Sequence, residues 1–284
     1  MNIKQLQLYV KQQLTPFISS EEINSVVNWL IEYRTGCNQV YVNLNPFREI
    51  AKNIEDLLQE DIKKLQNNYP IQYIVGVVEF LNCKIAVNEN VLIPRQETEQ
   101  LVDWMMQENS RTHPNYILDI CTGSGCIAIA LAKKYPDSQV SAIDISSSAL
   151  QLAKQNAVNN HVHVDFVCQD ILQWPKWSGR QKYGLIVSNP PYVLNMEKEQ
   201  MSPRVLDYEP HVALFVEDKK PLLFYEQILQ FAQDHLLPKG QLFFEINENF
   251  GGEMIDLLKY YGYQSIVLKQ DLNGKNRFIK GIKR

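Results

Sequence analysis

The chain has 284 residues, 45% of them apolar and 21% charged, with a formal net charge of −4. That balance is ordinary for a soluble globular protein and excludes a disordered chain. It also argues against a protein that grips duplex DNA by its backbone, which needs a basic surface, and no apolar run approaches the ~20 residues that span a bilayer.

The first residues, MNIKQLQLYVKQQL, alternate polar and apolar positions at helical spacing and lack the apolar stretch of a signal peptide. Five scattered cysteines, with no Cys-x-x-Cys pair, argue against a disulfide framework and a zinc site. The expected location is the cytoplasm, with no membrane partner. Ser19-Ser20-Glu21-Glu22 predicts a capping box, Ser19 at the N-cap and Glu22 at N3. The helix behind it carries Ile23, Val26, Val27, Leu30 and Ile31 on one face. A further helix over about 53–67 has Ile54, Leu57, Leu58, Ile62 and Leu65 as its stripe. Residues 1–75 therefore read as a small helical bundle, with no catalytic constellation of their own. A substrate-recognition domain fits, and so does a structural prefix.

Residues 76–95 form the next stretch. Short alternating runs around Asn82 and Asn88-Glu89-Asn90 predict a β-hairpin linker. From 96 to 284 helix and strand alternate: helix 97–108, strand 116–120, helix 126–135, strand 139–144, helix 147–158, strands 164–168 and 184–188. After a long loop come helix 221–236, strand 241–246, helix 251–261 and strands near 263–269 and 276–282. This is the pattern of an α/β fold, a mainly parallel, doubly wound sheet with helices on both faces. The Asn273-Gly274 turn makes the last two strands antiparallel. Ligands of such sheets sit at the carboxyl ends of the strands, where strand order reverses.

That edge carries the chemistry. ILDICTGSGCIAIALAKKY (117–135) is strand, glycine turn and helix, and Gly123 and Gly125 allow a ligand close to the backbone. An acid before the turn, Asp119, repels a pyrophosphate and welcomes an ammonium. The next strand ends at Asp144, which can accept both ribose hydroxyls. The third ends at Asp170, placed for an exocyclic adenine amine. Three acids in register with the glycine turn describe a cationic adenosine carrying an amino acid, which is S-adenosylmethionine. The fourth strand then delivers Asn189-Pro190-Pro191-Tyr192 to the same edge. Prolines suit neither a strand nor a helix interior, and here they make a rigid shelf. The Asn189 side-chain oxygen and the Pro190 carbonyl form two fixed acceptors for the hydrogens of a planar H₂N–C(sp²) group, and Tyr192 supplies a flat surface beneath it. Such a nitrogen is a poor nucleophile, because its lone pair is delocalised. Two acceptors draw density onto it and aim it at a methyl carbon, without a dedicated general base.

On these residues the chain resembles the amino-methyltransferases. PIQYIVGVVEFLNCKIAVNENVLIPRQETEQLVD (70–103), DICTGSGCIAIALA, SNPPYV, YEPHVALF (208–215) and NGKNRFIKG (273–281) resemble the bacterial N5-glutamine methyltransferases of peptide chain release factors. The resemblance covers about residues 20–284. It implies a small helical domain, a hairpin linker and a seven-stranded Rossmann-like methyltransferase domain. It also implies S-adenosylmethionine as cofactor and, as protein partner and substrate, the Gly-Gly-Gln glutamine of class 1 release factors. Cys121, Thr122, Gly123, Ser124, Gly125 and Asp144 would hold the cofactor, joined by Asp119, Asp170, Ile171 and Asn189. Asn189, Pro190, Pro191 and Tyr192 would hold the glutamine, with Asn189, Pro190 and Tyr192 carrying catalysis. The chain departs from the family pattern at Cys121 and Asn247, where the family has glycine, at Gln96, where it has proline, and over 215–225, which lacks its glycines. None of these departures is expected to touch the shelf.

The same shelf serves the enzyme that methylates ribosomal protein L3 and the adenine methyltransferases of DNA, and a non-catalytic nucleoside-binding adaptor is a fourth reading. Other residues read as structural. Residues 265–284 carry six basic side chains against Asp271 and read as a lysine-guarded edge hairpin, with an RNA-facing patch as the alternative. His161, His163 and His211 read as surface residues. Cys126 and Cys168 read as core. Arg95, Glu97 and Thr98 read either as the cap of the helix at 97–108 or as part of the site.

Overall fold

The computed structural model describes residues 1–110, 113–176 and 181–284. In chain order the helices α1 (Ile3–Leu14), α2 (Ile23–Thr35), α3 (Gln39–Leu44), α4 (Lys52–Gln66) and α5 (Ile71–Val75) precede a hairpin of β1 (Val77–Phe80) and β2 (Cys83–Ala86). Then come α6 (Gln96–Glu108), β3 (Tyr116–Ile120), α7 (Cys126–Lys134), β4 (Gln139–Asp144), α8 (Ser147–Asn159), β5 (Asp165–Cys168) and β6 (Tyr183–Ser188). The remainder holds β7 (Val193–Leu194), α9 (Pro203–Leu206), β8 (Phe215–Val216), α10 (Leu223–His235), β9 (Leu236–Glu245), α11 (Gly251–Tyr260), β10 (Gln264–Gln270) and β11 (Asn276–Ile282). These elements form two units, residues 1–76 with 202–208, and residues 77–201 with 209–284. Among the described residues no helix is long and apolar enough to cross a membrane.

The first unit is built on helical periodicity. Ile3, Leu6, Val10 and Leu14 of α1 meet Val26, Val27, Leu30 and Ile31 of α2 and Leu58, Ile62 and Leu65 of α4 in one buried cluster. Two sequence expectations change here. The Ser19 hydroxyl accepts from the Glu22 backbone N–H at 3.3 Å, but α2 starts at Ile23 with no side-chain cap. The Glu22 carboxylate pairs instead with Arg204 at 3.1 Å, since a cation is a stronger partner than an amide. Leu57 is exposed, and Asp61 is buried in its place. Asp61 accepts two bonds from Arg34, at 2.5 and 2.7 Å, and this pairing is what makes a buried charge tolerable. The segment 202–208, expected to be part of a plain loop, belongs to this unit. The Tyr208 hydroxyl donates to the Asn67 carbonyl at 2.7 Å, and its ring stands edge-on to Tyr69 at 5.0 Å.

The second unit opens with the β1–β2 hairpin, turned at Leu81 and Asn82, both with positive φ. The free edge of β2 is closed by side chains at the C-terminal end of α8. Asn156 bonds both backbone groups of Ala86 and Asn160 both of Lys84. Residues four apart on a helix thus match residues two apart on a strand. The main sheet has the order β10-β11-β9-β6-β3-β4-β5. Its β5, β4, β3, β6 and β9 are parallel, and β11 and β10 are antiparallel additions. The α/β reading, with seven strands, holds. The chain runs outward from β3 to β4 and β5, then returns to the other side of β3 as β6. The switch point of the strand order therefore lies between β3 and β6.

Among the described residues, five of the six basic side chains of the C-terminal run have partners within this fold. Arg277 pairs with Glu248 and Asp271, Lys275 with Glu248, and Lys280 with Glu108. Lys269 and Lys280 lie over the Trp104 ring, and Lys283 donates to carbonyls at the end of α10. Cys126 is buried as expected. Cys168 is exposed, because β5 is the edge of the sheet.

Candidate active site

The turn from β3 into α7 has left-handed backbone at Cys121 (φ 63°), Gly123 (54°) and Gly125 (81°). The two glycines have different reasons to be there. A Cβ on Gly125 would lie 3.1 Å from Ala153 Cβ and 3.2 Å from Ile129 Cδ1, so its absence lets α7 and α8 close up. A Cβ on Gly123 would meet no atom within 4 Å, and Gly123 lines a cavity of about 230 Å³. Cys121, Thr122, Ser124, Asp144, Asp170, Ile171, Asn189 and Pro191 line the same cavity; Asp119, Gly125 and Pro190 do not. Cys121 holds a conformation that costs a side-chain-bearing residue ~1 kcal/mol. Burial, with the charges of Asp144, Asp119 and Asp170 nearby, pushes its thiol well up, so it presents a neutral wall.

The three acids do not stand in one register. Asp144 is the last residue of β4, whereas Asp119 pairs across to Ala142, two residues deeper in the sheet. Asp144 accepts from the Gly123 N–H at 2.8 Å and the Ser146 N–H at 2.9 Å. Burial nonetheless holds its carboxyl above the usual range. Asp170 accepts from the Leu172 N–H at 2.9 Å and from Gln173 at 3.1 Å. The Asp119 carboxylate is fully buried; one oxygen accepts from Thr122 at 2.5 Å and from the Ala128 N–H at 3.2 Å. Its Oδ1 has no hydrogen-bond partner among the described residues, and burial pushes the group up to about 7. Two wall carboxylates and an open glycine fit a cationic amino-acid nucleoside such as S-adenosylmethionine.

At the switch point the Ser188 hydroxyl ties β6 to β3 by donating to the Ile120 carbonyl at 2.6 Å. The chain then leaves the sheet through the shelf. A second, smaller cavity of about 50 Å³ lies against it, lined by Leu92, Arg95, Asn189, Tyr192, Val193, Ala213, Leu214 and Glu245. Asn189 borders both cavities. Its amide nitrogen donates to the Thr98 hydroxyl at 3.2 Å. Thr98 donates to Glu245 Oε2 at 2.7 Å, and the Tyr192 hydroxyl donates to Oε1 at 2.9 Å. Burial, followed by the charge of Glu245, lifts the Tyr192 phenol far above its ordinary value, so it remains a donor.

Sequence reading missed Glu245, which ends the parallel neighbour of β6. The signal was a lone acid closing the apolar run LFFE at the edge where Asn189 emerges. Thr98 is part of the site and caps nothing, since α6 begins at Gln96 without a side-chain cap. Asn247 does touch the shelf, contrary to expectation: its amide donates to the Tyr192 carbonyl at 3.3 Å, a bond that a glycine side chain has no group to make. Glu209 was also missed. It pairs with Arg95 at 2.5 Å and accepts from the Ile93 N–H at 3.2 Å, pinning together two stretches that wall the larger cavity. His163 stands exposed beside Asp165, and the His211 ring packs edge-on against Phe215.

Residues 96–206 match the family model of the methyltransferase small domain, and residues 5–76 match that of the PrmC N-terminal domain. The chain is 44% identical to the release factor glutamine methyltransferase of Flavobacterium psychrophilum over 99% of both chains. It is 39% identical to that of Bacteroides thetaiotaomicron, over 95% of this chain and 96% of the other. A solved methyltransferase from Pyrococcus furiosus superposes with a TM-score of 0.54 at 16% identity, covering 79% of this chain and 98% of its own. At that identity the likeness is one of fold alone.

Proposed function

The chain belongs to the release factor glutamine methyltransferase family, and on that premise we propose that it methylates the side-chain amide nitrogen, N5, of the Gly-Gly-Gln glutamine in class 1 release factors. The observation that carries this reading is the place of Asn189, which borders the larger cavity and the small one at once. Bound in the larger cavity, S-adenosylmethionine supplies an electrophilic methyl group on a cationic sulfur. Asp144 would accept the ribose hydroxyls, Asp170 the adenine amine, and Gly123 would let the ligand lie against the backbone. Asp119, which lies outside the cavity lining, braces the turn by accepting from Thr122 and the Ala128 N–H.

The Asn189 side-chain oxygen, at the small cavity, and the carbonyl of its neighbour Pro190, which lines neither cavity, would accept the two hydrogens of the glutamine amide. They hold its plane against Tyr192 and raise electron density on nitrogen. Positioning and electrostatics thus do what a general base does elsewhere. The amide proton departs once the new N–C bond has formed. A substrate in the translation machinery sets the proposed place of action in the cytoplasm, and neither duplex DNA nor a membrane is a proposed partner.

Transfer of radiolabelled methyl from S-adenosylmethionine to purified release factor, ribosomal protein L3 and duplex DNA tests the reading. Label on the Gly-Gly-Gln glutamine of the release factor is expected. Label confined to L3 or DNA overturns it.

A further inference from the structure

We infer that Thr98 and Glu245 are positioning residues: the Glu245 carboxylate, acting through the Thr98 hydroxyl, dictates which end of the Asn189 amide faces the substrate, and so makes the site a receptor for a neutral amide rather than a carboxylate. This rests on the functional reading above and adds to it a source of specificity.

The two ends of an asparagine amide are almost equal in shape and opposite in chemistry. Turned one way, Asn189 offers the substrate an acceptor; turned the other way, it offers two donors. An acceptor is what an H₂N group requires. The choice follows from counting hydrogens. Burial holds the Glu245 carboxyl above its ordinary range, opposed by the hydroxyl hydrogens of Thr98 and Tyr192 and by the charge of Arg277. As the carboxylate it only accepts, and both its oxygens are engaged, one by Tyr192 and one by Thr98. Thr98 has a single hydroxyl hydrogen, and Glu245 takes it at 2.7 Å. The Thr98 oxygen can therefore only accept from Asn189, and only the NH₂ end of Asn189 can supply that bond, as it does at 3.2 Å. The side-chain oxygen is left for the cavities that Asn189 borders.

Three further observations fit this role. Glu245 is 1% exposed yet makes no ion pair among the described residues, a costly arrangement in a core where an apolar pair would pack as well. It lines the small cavity itself, so a substrate carboxylate would face a like charge as well as the Asn189 lone pair. The same carboxylate holds the Tyr192 hydroxyl, so one group orders both the polar and the flat face of the shelf. Glutamine and glutamate have the same shape. Polar groups that the wrong side chain leaves unpaired are how a site tells such isosteres apart.

The test uses the full chain with release factor and with short Gly-Gly-Gln and Gly-Gly-Glu peptides. Thr98→Val keeps the shape and removes the hydroxyl. It is expected to lower kcat at least ~30-fold while cofactor Kd changes less than ~3-fold. Thr98→Ser is expected to restore kcat to within a few-fold, which lost packing would not predict. Glu245→Gln turns one acceptor oxygen into a donor, so either Asn189 or Tyr192 loses its orientation and kcat falls again. The sharpest readout is inhibition by the Gly-Gly-Glu peptide, absent in the wild type and gained when Thr98→Val is combined with Glu245→Gln, which removes the like charge as well as the orienting hydroxyl. Side-chain amide NOEs between Asn189 and Thr98 report the orientation without turnover. An active wild type with an equally active Thr98→Val overturns the inference alone, as does absence of the NOE. A wild type that shows the NOE but labels no release factor overturns the functional reading and leaves the orientation standing.

Discussion

Asn189 stands at the junction of two cavities, and its replacement should separate chemistry from cofactor binding. In Asn189→Ala the substrate amide loses a fixed acceptor, at a cost of ~3 kcal/mol or more in the transition state, roughly a 100-fold loss of kcat. Calorimetry should show S-adenosylmethionine binding weakened far less than kcat, since Asn189 is one residue among many that line the larger cavity. Asp119 bears on stability through pH. Burial raises its pKa to about 7 from an ordinary 3.8, so between those values the folded state holds the proton more tightly than the unfolded one. Stability is therefore full below about pH 4, declines as pH rises to about 7, and is level above, a difference of order 4 kcal/mol. Asp119→Asn should remove this slope and leave the variant more stable than the wild type at pH 8, in the absence of cofactor. Thermal melts from pH 4 to 8 check it, and parallel curves for the two proteins would contradict it.

The strand–turn–helix element of β3 and α7 shows why one Gly-x-Gly motif holds two unlike glycines. Gly125→Ala meets Ala153 and Ile129 at about 3 Å while keeping a positive φ. It should cost ~2 kcal/mol or more of stability, read by urea unfolding. Gly123→Ala has room for its methyl and should cost only ~1 kcal/mol. That methyl stands on the cavity wall, however, and should weaken cofactor binding by ~10-fold or more, since the site needs close approach to the backbone. The motif was legible in the sequence; the division of labour within it was not, because it depends on α8, which packs from beyond the next strand. The same holds for Asn156 and Asn160, unremarkable polar residues in a helix until the edge of β2 is beside them.

At the scale of the molecule, the lining of both cavities comes, among the described residues, from the second unit. One glutamine side chain offers little surface, so affinity for a folded release factor must come from elsewhere, and remote binding energy can orient a reacting group. A chain starting at Val77 should still bind S-adenosylmethionine but methylate intact release factor at least ~100-fold less efficiently, equivalent to ~2.7 kcal/mol. Its activity on a Gly-Gly-Gln peptide should match that of the full chain. Residues 202–208 lose Glu22 and Asn67 as partners in this truncation, so circular dichroism and a cofactor titration must first show that it folds. Full-rate methylation of intact release factor by the folded truncation would make the helices a structural prefix.

What the sequence determined by itself was local in origin. Apolar periods of 3.6 and 2 placed most of the long helices and strands within a residue or two, since burial of one face repeats with the backbone, but missed the first five residues of β9 and the short elements α3, α5, β7, α9 and β8. Asn273-Gly274 made the last strands antiparallel. Gly123 and the prolines at 190 and 191 announced a ligand-facing turn and a rigid shelf, because backbone sterics act over a few residues. Tertiary structure decided the rest: the depth of Asp119, the membership of 202–208, the pairing of the C-terminal lysines and arginines, and the chain of bonds from Glu245 through Thr98 to Asn189. Those partners lie 147 and 91 residues apart in the sequence. Strand order and register bring the end of β9 beside the end of β6, α6 packs on β9, and no local pattern of residues encodes which hydrogen goes to which oxygen there.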